Sequence, residues 1–144
     1  ELVDTLEKRI KAIKEKISNL PSEKRPKVFL EIWHDPLWTA PTKTLIYQVV
    51  ELAGGRNVIT IEGDWNQVTI VDPESVIDAN PDVILLAFEG SDPTSVYELP
   101  GWSAVSAIKN RKVFQIDPDI ISRPGPRIID VLEQIAKILH PGLF

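Results

Sequence analysis

The sequence predicts a three-layer α/β domain, in which a mainly parallel sheet is flanked by helices and preceded by one long helix. Short β-branched runs alternate with amphipathic helical runs along the chain, and Pro and Gly punctuate their ends. One run, DVILLA at 82–87, is apolar on both faces, as a strand covered from both sides must be. At 144 residues and 43% hydrophobic content, the chain has enough material for one domain around a single core.

The elements follow in order. Leu2, Leu6, Ile10, Ile13, Ile17 and Leu20 recur every three or four residues and line one face of a helix over residues 1–20. The lysines between them form its solvated face, and Pro21 stops it. Residues 28–33, β-branched and aromatic, read as a strand. Residues 42–53 read as a helix with Leu45, Ile46, Val49, Val50 and Leu52 apolar, ended by Gly54 and Gly55. A second strand covers 57–61. Asp72 and Pro73 are the N-cap and first residue of a short helix to Ala79. After the third strand, DVILLA, come a helix over 103–109, a strand over 112–116 and a last helix from Pro126 to Leu139.

Composition excludes several function classes. No apolar run approaches the roughly 18 residues of a membrane span. With no Cys, disulfides, Cys-ligated zinc, iron–sulfur clusters and thiol catalysis are ruled out. There is no Met, and a chain opening on Glu1 is expected to be part of a longer one. Residues 1–27 carry 8 basic and 5 acidic side chains, whereas 28–144 carry 8 and 16, and this acidic body argues against a nucleic-acid partner. The two histidines, His34 and His140, have no ligand spacing that suits a metal ion. GxxxxGK, GxGxxG, GxSxG and HExxH are all absent, so no catalytic residue, cofactor or metal is nominated.

In a parallel sheet, ligands sit beyond the carboxyl ends of the strands. That places the site on four loops, 34–41, 62–72, 88–99 and 117–125. Trp38 and Trp65, in polar and Pro-rich loops, are suited to stacking on a flat or bulky apolar ligand. Trp33, inside a predicted strand, fits a core role equally well. His34, beside Asp35, is a loop hydrogen-bonding group or a ligand contact. Arg123 is either solvated or placed on an anionic ligand group, while Arg127, in the first turn of the last helix, needs a carboxylate or carbonyl partner against the helix dipole. Glu74 suits the dipole at the start of its own helix, and Asp117 and Asp119 around Pro118 make a turn.

The stretches KVFLEIW, ELAGGRNVI, the loop with Trp65, PESVIDANPDVILL, AIKNRKVFQID and RPGPRIIDVLEQIAKILHP follow one another over nearly the whole chain. Their order resembles the C-terminal lobe of the substrate-binding proteins of ATP-binding-cassette importers for metal chelates, the group that includes cobalamin, siderophore and haem binders. The resemblance implies a Rossmann-like lobe over 27–144 and, in residues 1–20, the end of a helix connecting it to an N-terminal lobe absent from this chain. It implies no enzyme activity, and an extracytoplasmic protein, periplasmic or lipid-anchored. A corrinoid, ferric siderophore or haem would be held between the lobes, with Trp65, Trp38, His34 and Arg123 on this wall. Glu74 would dock onto an arginine of the importer's permease. The alternatives are a stand-alone α/β enzyme or nucleotide-binding domain, which would need a phosphate site, and an interaction module that reuses the lobe without a ligand.

Overall fold

Four parallel strands build the sheet: β1 (Lys27–Glu31), β2 (Arg56–Asn57), β3 (Val83–Leu86) and β4 (Val113–Gln115), in the order β2-β1-β3-β4. The computed structural model describes residues 2–20, 25–33, 37–64, 70–87, 93–98, 101–116 and 127–140. β1 and β3 lie in the centre, with Val28 opposite Val83 and Glu31 opposite Leu86. Every residue of β3 is buried, which is why its sequence has no polar face.

Parallel neighbours need crossovers, and these supply the two outer layers. On one face, α1 (Leu2–Ser18), α2 (Leu45–Leu52) and α6 (Arg127–Leu139) cover the sheet. Ile13, Ile17, Val50, Leu132 and Ile135 pack there with Val28, Leu30, Val83 and Leu85. On the other face lie α3 (Pro73–Ala79), α4 (Pro93–Tyr97) and α5 (Ser106–Lys109). There Val76, Val96 and Ala107 meet Phe29, Ile84 and Leu86, and Trp102 sets its ring edge-on to Phe29 at 6.5 Å between centroids. No helix among the described residues is long and apolar enough to cross a membrane.

The three-layer expectation holds, with local differences. The second strand is two residues long instead of five, because the chain after Val58 turns away from β1 to bond the turn before α2: Ile61 O accepts from Thr42 N and Gly63 O from Lys43 N. β1 ends at Glu31, two residues before its expected end. Thr44, whose hydroxyl accepts from Tyr47 N, caps α2 and sets its start at Leu45 instead of 42. α4 lies inside a segment expected to be loop; Pro93 opens it, and the buried Val96 holds it on the sheet.

α1 is tied down at both ends of its described packing face. Arg9 reaches α6, donating to Asp130 Oδ1 at 2.7 Å and to Glu133. These two bonds, Asp130 first, raise the guanidinium pKa above its usual value. Further along, Ile17 packs at the turn after α2, where His140 Nε2 lies 3.1 Å from Gly54 O. His140 is buried at the end of α6 and closes this junction.

Candidate functional site

The strand order creates the crevice. From β1 the chain passes to α2 on one face, and from β3 to α4 and α5 on the other. The connections therefore diverge between β1 and β3, which makes the carboxyl ends of these two central strands the switch point of the sheet. Glu31, fully buried, stands at this point, and its carbonyl accepts from Ala87 N at 3.0 Å.

Immediately beyond, the chain builds a small antiparallel platform. Trp33 bridges to Trp38, and Trp38 bridges to Ile70. Residues directly opposite one another in an antiparallel pair project to the same face, so the three side chains stand in one row. They are 48%, 40% and 55% exposed, which makes them three of the four large apolar side chains exposed among the described residues. The row is firmly based. Ile32 N donates to Trp38 O at 2.8 Å, Trp38 N to Trp33 O at 3.1 Å and Val71 N to Leu37 O at 2.7 Å. The buried Thr39 sends its hydroxyl back to Leu30 O at 2.7 Å, fastening the hairpin to β1. Such a surface can stack against an apolar or aromatic face, and its three side chains carry no nucleophile or metal-ligating group; no cluster of three or more potential metal ligands occurs among the described residues.

Of the residues nominated from sequence, Trp38 is on this platform and Glu74 is exposed in the first turn of α3, the next helix after Ile70. Asp72 caps that helix, its carboxylate accepting from Glu74 N at 3.0 Å. His34, Trp65 and Arg123 lie outside the described residues, as do the side chain of Arg127 and the pair Asp117 and Asp119. Trp33 is not in a strand, because the chain bends at Ile32, and its exposure removes the core alternative. Ile70 and Glu31 were not anticipated. A charged residue inside the apolar run KVFLEIW was the available signal for Glu31; Ile70 had none, since its place depends on pairing with Trp38.

Comparison with known proteins gives this geometry a context. An uncharacterized ABC transporter substrate-binding lipoprotein of Bacillus subtilis is 29% identical over 145 residues, covering 100% of this chain and 45% of that protein. A vitamin B12-binding protein of Vibrio vulnificus is 26% identical over 89% of this chain and 45% of its own length. The chain thus spans about half the length of the curated relatives it matches. Among solved structures, an ABC transporter solute binding protein from Sulfurospirillum deleyianum superposes with a TM-score of 0.86 at 22% identity, over 99% of this chain and 45% of that one. A possible iron-binding, periplasmic solute-binding protein from Staphylococcus epidermidis gives 0.79 at 26%, over 96% of this chain and 54% of that one. These relatives are described as binding proteins, not enzymes. The sequence model for periplasmic binding proteins matches residues 1–120, and the chain belongs to that family.

Proposed function

We propose that this chain is the C-terminal lobe of a two-lobe solute-binding protein that captures a corrinoid or an iron chelate outside the cytoplasm and delivers it to an ATP-binding-cassette importer. The observation that carries this is the exposed Trp33–Trp38–Ile70 row at the switch point of the sheet. Three large apolar side chains left in water cost stability that a stacked ligand recovers, and a broad flat cargo is what such a row can cover. Relatives that bind vitamin B12 agree with it.

In this scheme Trp38 and Trp65 form the wall, while His34 and Arg123 supply polar contacts from neighbouring loops. Residues 1–20 are the connecting helix, residues 27–144 are the lobe, and the missing N-terminal lobe closes the other side. Glu74 has the exposure and the position, at the start of α3, for docking onto an arginine of the permease. Equilibrium dialysis against cyanocobalamin, a ferric hydroxamate siderophore and haemin tests the scheme. Saturable binding of at least one, weakened tenfold or more by Trp38→Ala, is the expected result; a chain that binds none of them has no ligand wall.

A further inference from the structure

We propose that the edge of the sheet opposite the tryptophan row is a docking face for an anionic phospholipid bilayer. Parallel strands all start on one edge, so the segments running from each helix end to the first residue of the next strand meet there. The described residues of these segments, 19–20, 25–27, 53–56, 80–83 and 110–113, hold Arg25, Lys27, Arg56, Arg111 and Lys112 against one acid, Asp82. The last turns of the helices that end on this edge cancel, with Glu15, Glu51 and Asp78 against Lys16, Lys109 and Lys137. Five cations and one acid thus give the edge a formal charge of +4, on a chain whose total is −5.

These cations adjoin one another and have no opposing charge. Lys27 stands opposite Arg56 in the β1–β2 register, and Arg56 Nε donates to Arg25 O at 3.2 Å. Arg25 and Lys112 line one groove with Asn110 and Asp82, and past Ile138 it adjoins a second groove lined by Lys112 and Lys137. Arg56, Arg111 and Lys112 are exposed, and none of the five forms an ion pair with a described residue. Asp82 is turned to the backbone, where Oδ2 accepts from Lys27 N at 3.1 Å. Arg111 is held at φ +54°, where Gly or Asn is less strained, with its guanidinium 5.3 Å from the centre of the Tyr97 ring. Helix C-termini attract cations in any fold, yet the carbonyls ending α2, α3 and α5 accept from backbone groups here: Ala53 N to Val49 O, Asn80 N to Val76 O and Lys112 N to Ala107 O.

Like charges gathered by the topology repel one another, and an anionic surface relieves that repulsion. The charges are spread along the edge: at about 4.8 Å between strands, Arg56 on β2 and Lys112 beside β4 lie about 14 Å apart. Such a spread suits an extended surface of phosphates better than a single anion. The choice of a bilayer rests on the lobe serving a membrane importer from outside the cytoplasm. Docked by this edge, the lobe keeps Trp33 and Trp38, at the other end of the strands, in water.

Co-sedimentation of the chain with vesicles tests this, comparing phosphatidylcholine alone with phosphatidylcholine containing about 30% phosphatidylglycerol. At about 0.05 M salt the anionic vesicles are expected to bind at least about tenfold more tightly, and about 0.5 M salt should remove most of that preference. Arg56→Glu combined with Lys112→Glu, both at exposed positions, should abolish it. Lys8→Glu combined with Lys11→Glu, the same change of charge on the exposed face of α1, should leave it within about twofold. Acrylamide quenching of tryptophan emission should be unchanged by vesicle binding. Equal binding to the two vesicles, a preference unmoved by salt, equal loss in the two double variants or tryptophans shielded by the bilayer overturns the docking face. Duplex DNA bound as tightly as the anionic vesicles overturns the choice of partner. Solute dialysis is read separately: a chain that binds solute without a vesicle preference loses this face alone, and one with the preference that binds no solute keeps it and loses the solute-binding scheme.

Discussion

Gly54 is the position where a single methyl group should do most damage. Its φ of +93° lies where an L side chain is strained, and a Cβ there would stand 2.6 Å from His140 Nε2 and 2.7 Å from Ile17 Cδ1. The backbone strain of Gly54→Ala is about 1–2 kcal/mol, and forcing the two buried neighbours apart adds about 1–3 kcal/mol. A loss of about 2–5 kcal/mol is a large part of the roughly 5–15 kcal/mol that holds a domain folded. Gly101→Ala is the internal control: φ is +82° there, but the nearest atom to the added Cβ is Ile77 Cδ1 at 3.9 Å, so it carries the strain without the collision. In urea melts followed by far-ultraviolet circular dichroism, with a slope of about 2 kcal/mol/M, Gly54→Ala should lower the midpoint by about 1–2.5 M and Gly101→Ala by under about 1 M. His140→Ala, which removes one of the two obstructing groups, should combine with Gly54→Ala less than additively. Equal losses at the two glycines, or strict additivity with His140→Ala, would refute the packing of α1, α6 and the turn after α2 into one junction.

Three further outcomes follow from the same contacts. Asp72→Ala removes the cap on α3 and should cost about 0.5–2 kcal/mol in the same melts, with Asp72→Ser restoring most of it. Arg9→Ala releases α1 from Asp130 and Glu133; amide exchange should quicken in residues 5–12 and stay unchanged in β3, and because Asp130 is exposed while Arg9 and Glu133 are half-buried, high salt should reproduce part of that effect in the unaltered chain. Glu74→Ala, exposed and outside the platform, should leave ligand affinity within error and cost no more than the roughly 0.3–1 kcal/mol of its place at the start of α3, while weakening complex formation between the proposed two-lobe protein and a permease, as measured by co-purification.

The parts of the fold legible in the sequence are those set by local periodicity and burial. DVILLA could only be a covered strand, and Leu2 to Ile17 only an amphipathic helix. What escaped was set by partners distant in sequence. Residues 57–61 have strand composition, yet Ile61 bonds Thr42 in place of β1, since β-branched content reports partial burial and not the identity of the neighbour. Trp33 likewise continues an apolar run but leaves the sheet to pair with Trp38, and Ile70 joins them from a segment beyond a second strand. The loops that would carry ligand contacts followed from topology alone, since parallel strands send all their exits to one edge; of the exposed row, Trp38 was legible from its polar loop, Trp33 fitted either role, and Ile70 gave no signal.

That same dependence on distant partners bears on how the site works. The platform is fixed from below by Thr39 on Leu30, from its side by Leu37 on Val71 and, after the hairpin, by Thr42 and Lys43 on residues 61–63. These bonds fix the backbone that carries the two exposed tryptophans, so a molecule stacking on them would have to order only their side chains. In the proposed scheme such a wall would contribute affinity without changing shape, and closure around a cargo would come from motion of whole bodies. α1 is joined to the lobe through Ile13, Ile17 and Arg9, packed against the same face of the sheet as α2 and α6. A displacement transmitted along α1 would therefore carry the sheet, the platform and the exposed Glu74 together, as the proposed two-lobe scheme requires of its ligand wall and docking residue.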